Sequence, residues 1–213
     1  MEIIPAILET EFSEIQNKIE KSKKHFKTIQ IDLGDGKFVE SEFGQLKKIK
    51  DIKSEIDLEI HLMTEEPWKD LEYLRNGKIK KITFHYESFL SIPKKTRPFA
   101  INNLIKQVKE LGLKVGIAIN PETRPGAIAD YLERIDEALL LSVEPGQQGQ
   151  KFVEDVILKA SFLKNFKEDL IVGIDGGVSD ENIKKIAEAK IDKAYVGSFL
   201  WKDDLESALK KLS

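Results

Sequence analysis

The 213 residues are 41% hydrophobic, enough to bury one ordinary domain core and enough for a lean α/β barrel. Thirty-four basic side chains against 37 acidic ones, with lysines dispersed along helical segments, give a net charge of −3 and no electrostatic footprint for nucleic acid or an anionic membrane. The absence of cysteine excludes disulfides and thiolate metal sites, Met1-Glu2-Ile3-Ile4-Pro5 has no signal-peptide character, and no apolar run approaches the roughly 20 residues that span a bilayer, so a cytoplasmic, single-domain protein over residues 1–213 is expected.

Along the chain, short β-branched runs alternate with longer amphipathic ones. A strand is predicted over residues 2–6 and a helix over 12–24, then strand 28–33 with helix 43–53, and strand 57–62 with helix 67–75. Strand 81–84 is followed by a longer connection, 89–98, with two prolines and three basic residues, before helix 102–111. Strand 114–119 with helix 124–134, strand 137–142 with helix 153–166, strand 170–174 with helix 180–189, and strand 193–196 with helix 203–212 complete the series. Parallel strands need helix-length crossovers, so eight such units predict a closed (β/α)8 TIM barrel, with an open doubly wound sheet as the alternative.

In such a barrel the loops after the strands form the active-site rim. Asp32 and Asp175 both stand where an apolar strand stops, and both fall on that rim. An Asp there also serves as a turn or helix cap, but two carboxylates facing one substrate are what removal and return of a proton beside a carbonyl require. Asp35, before Gly36, reads as a turn residue. His61 ends the third strand, and only barrel closure would bring it near the two aspartates to make a site for Zn²⁺, Fe²⁺ or Mn²⁺. His85 ends the fourth strand and reads as a structural residue. The late loops carrying Gly146, Gln147, Gln148 and Gly149, then Gly176 and Gly177, then Gly197 and Ser198, match the phosphate site of such barrels, where backbone N–H groups face an anion.

These motifs, taken with Pro5-Ala6-Ile7-Leu8, His61-Leu62-Met63, Ile82-Thr83-Phe84-His85, Val143-Glu144-Pro145-Gly146 and Asp175-Gly176-Gly177-Val178, resemble the ribulose-phosphate 3-epimerase family over nearly the whole chain. The resemblance implies an isomerase that interconverts ribulose 5-phosphate and xylulose 5-phosphate through an enediolate. It implies Asp32 and Asp175 as the acid/base pair, one divalent metal (Zn, Fe or Mn) on Asp32, His61 and Asp175, and substrate held by His61 and the three glycine loops. A ketose phosphate is then the small-molecule partner, and a homo-oligomer the expected assembly.

Several positions depart from the family pattern. Gln30 replaces a metal-binding histidine and offers at most a neutral amide oxygen as fourth ligand. Ala6 replaces a substrate-binding serine, Gly34 and Leu141 replace methionines, and Gly34 is expected to open space near Asp32. Gln147 and Gln148 stand where an aromatic residue and a glycine are usual, and Glu40-Ser41 replace Pro-Asn. The alternatives are a related ketose-phosphate epimerase, an aldolase or decarboxylase barrel using Lys37, and a phosphosugar-binding homologue with impaired catalysis.

Overall fold

A computed structural model describes residues 1–202 and 204–212. Eight parallel strands run in sequence order around a barrel: β1 (Glu2–Ile7), β2 (Thr28–Asp35), β3 (Asp57–Met63), β4 (Ile79–His85), β5 (Lys114–Ile119), β6 (Glu137–Leu141), β7 (Ile171–Asp175) and β8 (Lys193–Val196). β1 pairs with β8 through Glu2↔Lys193 to Pro5↔Val196, and with β2 through Ala6↔Gln30 and Ile7↔Ile31. Those two pairings close the sheet, which decides for the TIM barrel over the open alternative. All eight predicted strands are present, with bounds within two residues of those expected.

Closure explains the alternation within the strands. Successive side chains of a strand point to opposite faces, and Ile29, Ile31 and Leu33 of β2 and Leu58, Ile60 and Leu62 of β3 lie in the outer core, beneath the helices. The residues between them, Gln30 and Asp32 on β2 and Glu59 and His61 on β3, therefore face the barrel axis. A small apolar cluster of Ile4, Ala6, Ala118, Leu139, Leu141 and Tyr195 fills the interior elsewhere.

At the N-terminal end of the barrel the interior is ionic. Lys81 Nζ lies 2.8 Å from Glu59 Oε2 and 2.6 Å from Glu137 Oε1, and Lys193 Nζ lies 2.8 Å from Glu59 Oε1 and 3.2 Å from Glu137 Oε2. The Tyr195 hydroxyl is 2.7 Å from Glu59 and 2.6 Å from Glu137. Gly173 makes room for this layer, since a Cβ there would lie 2.8 Å from the Tyr195 ring and 2.9 Å from Glu137 Oε1. Burial opposes charge on Glu59, but Lys81 and Lys193 overcome it and hold the carboxyl down at about 2. None of these five residues was expected to share a site.

The outer layer is less helical than its periodicity suggests. The helices are α1 (Phe12–Ser22), α2 (Pro67–Asp70), α3 (Arg97–Glu110), α4 (Leu158–Phe166), α5 (Ile183–Glu188), α6 (Ser198–Lys202) and α7 (Leu205–Lys211). The expected helix at 43–53 is a 3₁₀ segment, Leu46–Asp51, because Gly44 (φ 82°) and Gln45 (φ 53°) hold the preceding backbone in the left-handed region. Gly44 is required there: a Cβ would sit 2.3 Å from the Asp32 carbonyl oxygen. Residues 124–134 likewise form a 3₁₀ segment, Pro125–Arg134, opened by a proline and a glycine, both poor helix residues. The helix expected at 67–75 stops as an α-helix at Asp70, and those at 153–166 and 180–189 begin later than expected. Of the helix expected over 203–212, Asp203 lies outside the described residues and α7 accounts for most of the rest. The connection 89–98 is fastened rather than loose, because the Arg97 guanidinium donates to the carbonyls of Phe89, Leu90 and Ile92.

Candidate active site

The strand register assembles the predicted carboxylate and imidazole groups. Asp32 on β2 is the direct pairing partner of His61 on β3, and Asp175 ends β7. His61 Nδ1 lies 3.1 Å from Asp32 Oδ1 and 3.7 Å from Asp175 Oδ2, and the three residues offer ligand atoms within 4.8 Å of one another. Gln30, two residues before Asp32 and so on the same face of the strand, reaches the same point. Its Nε2 donates to Asp32 Oδ1 at 2.9 Å and to Asp175 Oδ2 at 2.6 Å. The Gln30 Oε1 is buried with no hydrogen-bond partner, an arrangement that costs about 1–3 kcal/mol.

His85 belongs to this site, contrary to the structural role expected of it. Its Nε2 lies 2.9 Å from His61 Nε2, the two rings stack with centroids 5.0 Å apart, and its Nδ1 faces Glu87 Oε2 at 3.4 Å. Glu87 also accepts from the Asn120 N–H and the Thr123 hydroxyl. A tautomer in which His85 Nδ1 donates to Glu87 leaves His85 Nε2 to accept from His61. The His61 Nδ1 lone pair then faces the aspartates, the orientation of a metal-ligating histidine. The signal in the sequence is His85-Tyr86-Glu87 at a strand end, one β-strand away from His61.

Burial sets the charge states. It is the main cause that pushes both Asp32 and Asp175 up to about 7, with Asp32 adding repulsion at Asp175 and the Gln30 amide opposing the rise at both. Burial, reinforced by the neighbouring His85, pushes His61 down to about 3. Near neutral pH the two carboxyls therefore hold and release protons readily, next to an uncharged imidazole.

The glycine loops roof the same cavity. Asp32, His61 and Asp175 line it together with Gly146, Gln147, Gln148, Gly149, Gly176, Gly177, Gly197 and Ser198, as do Ala6 and Leu141. Gln148 Nε2 donates to the Leu8 carbonyl at 2.6 Å and Gln147 Nε2 approaches Glu40 Oε2 at 3.4 Å, so the loop after β6 reaches across to those after β1 and β2. Gly177 (φ 61°) packs against backbone, where a Cβ would lie 2.9 Å from the Phe152 nitrogen. Ser142 ties β6 to the Asp175 turn, its N–H donating to the Asp175 carbonyl and its hydroxyl lying 2.5 Å from the Gly176 carbonyl.

One local expectation is corrected and one is met. Gly34 does not open space beside Asp32: a Cβ there would lie 2.5 Å from the Phe43 ring and 2.8 Å from Val39, so those side chains occupy the volume. Gln30 turns a donor rather than its carbonyl oxygen toward the carboxylates. Asp35 is the expected turn residue, accepting from the N–H groups of Lys37, Phe38 and Glu65.

The model of the ribulose-phosphate 3 epimerase family matches residues 2–201. The chain belongs to that family. It is 31% identical over 191 residues to the ribulose-phosphate 3-epimerase of Aquifex aeolicus (strain VF5), covering 86% of this chain and 82% of that one. It is 28% identical to the Bacillus subtilis (strain 168) ribulose-phosphate 3-epimerase, covering 100% of this chain and 98% of the relative. Among solved structures, a 3-hexulose-6-phosphate synthase from Salmonella typhimurium superposes with a TM-score of 0.71 at 18% identity, covering 100% and 96% of the two chains. A 3-keto-L-gulonate-6-phosphate decarboxylase from Vibrio cholerae does so at 0.69 and 13%, covering 99% and 94%. At those identities the structural matches establish the fold alone.

The donor set in this barrel fits a divalent cation. Two carboxylates and an imidazole nitrogen surround one point, and oxygen and nitrogen donors of this kind suit zinc, iron or manganese.

Proposed function

We propose that this protein is a ribulose-phosphate 3-epimerase-like isomerase that interconverts D-ribulose 5-phosphate and D-xylulose 5-phosphate. The observation that carries the reading is the convergence of Asp32 on β2 and Asp175 on β7 on one cavity, each within 2.9 Å of the same Gln30 amide nitrogen and both raised to about 7. One carboxylate takes the proton from the carbon next to the ketone while the other, in its acid form, returns one to the opposite face. In the metal-free site burial raises the proton affinity of each toward neutral pH. Asp32, His61 and Asp175 would hold a divalent ion, Zn, Fe or Mn. Bound there, it would supply positive charge beside the oxygens that become negative as the C–H proton leaves.

The glycine loops around Gly146, Gln147, Gln148 and Gly149, around Gly176 and Gly177, and around Gly197 and Ser198 are proposed to hold the phosphate, with His61 beside the sugar. Their shared cavity with the two aspartates supports this. Lys37 lies exposed in the Asp35 turn and does not line that cavity, which disfavours the lysine-dependent aldolase or decarboxylase reading. Residues 1–213 are proposed to act as one barrel unit, as a homo-oligomer in the cytoplasm. Among the described residues no helix is long and apolar enough to cross a membrane.

The test is NMR of ribulose 5-phosphate in D₂O with added Zn²⁺, Fe²⁺ or Mn²⁺. Deuterium at C3 together with xylulose 5-phosphate is the expected outcome, and no exchange with any of the three ions would overturn the reading.

A further inference from the structure

The Gln30 amide nitrogen lies 2.9 Å from Asp32 Oδ1 and 2.6 Å from Asp175 Oδ2, so it bonds both carboxylates of the candidate metal centre. Its two N–H bonds are divided between the two carboxylates, one to each, so a neutral group does what charge neutralisation would do. The opposite orientation would point the amide oxygen at two carboxylate oxygens, which only a cation or added protons could make favourable. The orientation seen leaves Oε1 buried and unpartnered, so the side chain gives up one hydrogen bond of its own to make the two bridging ones.

We propose that Gln30 is a positioning residue that competes with the metal: its amide bridges the acid/base pair when no ion is bound, and an ion enters only by displacing that bridge. This rests on the reading of Asp32, His61 and Asp175 as the metal centre. It assigns Gln30 a role opposite to that of a fourth ligand. The bridge holds the carboxylates at one separation without metal, and the site exchanges its ion more readily than one closed by a fourth ligand at that position. The neighbouring groups are compatible with such exchange. His61 Nδ1 faces the same two oxygens at 3.1 and 3.7 Å, and the His85-Glu87 pair that orients it makes its hydrogen bonds away from Gln30.

The experiment compares wild type with Gln30→Met, Gln30→Glu and Gln30→His by competition titration of Mn²⁺ and Zn²⁺ against a chelator, and by thermal unfolding of chelator-treated protein. Met keeps the volume but has neither donor nor strong ligand; Glu keeps the shape but brings a third carboxylate. The wild type should keep its melting temperature in chelator and gain little from metal. Gln30→Glu should melt earlier in chelator, recover on adding metal, and bind it at least about ten-fold more tightly. Gln30→Met should bind metal at least as tightly as the wild type, because a competitor has been removed, and Gln30→His more tightly than either.

A weaker affinity in Gln30→Met would show that the amide is itself a ligand and overturn the proposal. So would a chelator-treated Gln30→Glu protein as stable as the wild type. None of these readouts uses turnover. C3 exchange tests the epimerase reading separately, and its absence would leave the metal competition standing.

Discussion

The two ends of this barrel interior both bury ionisable groups, and they treat them in opposite ways. At the N-terminal end two lysines, two glutamates and a tyrosine form a network in which positive and negative charges are equal in number and every charged group has partners within 3.2 Å. Glu59 is accordingly held well below its ordinary range and Lys193 well above, despite burial that opposes both. At the C-terminal end two carboxyls meet an uncharged imidazole and a neutral amide, and both are pushed up. Burial alone does not make a group reactive; burial without a compensating charge leaves its proton exchangeable near pH 7. The same strands supply both layers, with Glu59 two residues below His61 on β3 and Lys81 four below His85 on β4.

Breaking the upper layer should cost activity, and breaking the lower one should cost stability. The largest effect is expected for Asp175→Asn, which removes one acid/base group and should lower the rate of C3 proton exchange by about 10²–10⁴-fold with the fold retained, measured by deuterium incorporation. Unchanged exchange would remove the two-base assignment. Lys81→Met leaves an unbalanced buried carboxylate and should destabilise the protein by about 3–5 kcal/mol in denaturant titration. The double variant Lys81→Met with Glu137→Leu restores charge balance and should lose less than the single one. If it loses more, the lower layer is not held by charge balance.

Smaller effects sharpen the contrast. His85→Phe takes away the acceptor that fixes the His61 tautomer, and should weaken metal binding by about 10–100-fold without abolishing folding, read by chelator competition. An unaltered affinity would detach His85 from the centre. The smallest signal is the pH dependence of stability in metal-free protein. Asp32 and Asp175 have folded values near 7, above the ordinary 3.8, so each contributes stability at acid pH that is lost as pH rises through about 4 to 7. His61, lowered from 6.5 to about 3, works the other way, costing stability as pH falls through that range. With two groups against one, these three should together make metal-free protein less stable as pH rises from 4 to 7, and Asp175→Asn should flatten that slope in melting curves.

Periodicity in the sequence determined the alternating strands and crossovers and hence the barrel, because side chains two apart share a strand face and parallel strands require long connections. It also put Asp175 at a strand end and Asp32 and His61 near the C-terminal ends of theirs, where the strands run on two or three residues further. Periodicity overstated the helices at 43–53 and 124–134, where left-handed residues and a Pro-Gly start govern the backbone. What only the tertiary structure decided are the meetings of distant residues: the Gln30 amide reaching Asp175, 145 residues away, as well as Asp32, Phe43 filling the space beside Gly34, the His61-His85-Glu87 chain, and the five-residue ionic layer. The Gln30 bridge, the His61-His85 contact and the ionic layer depend on which inward-facing side chains stand at the same height once the sheet closes. That height follows from the register between strands, which a period of two within each strand does not specify.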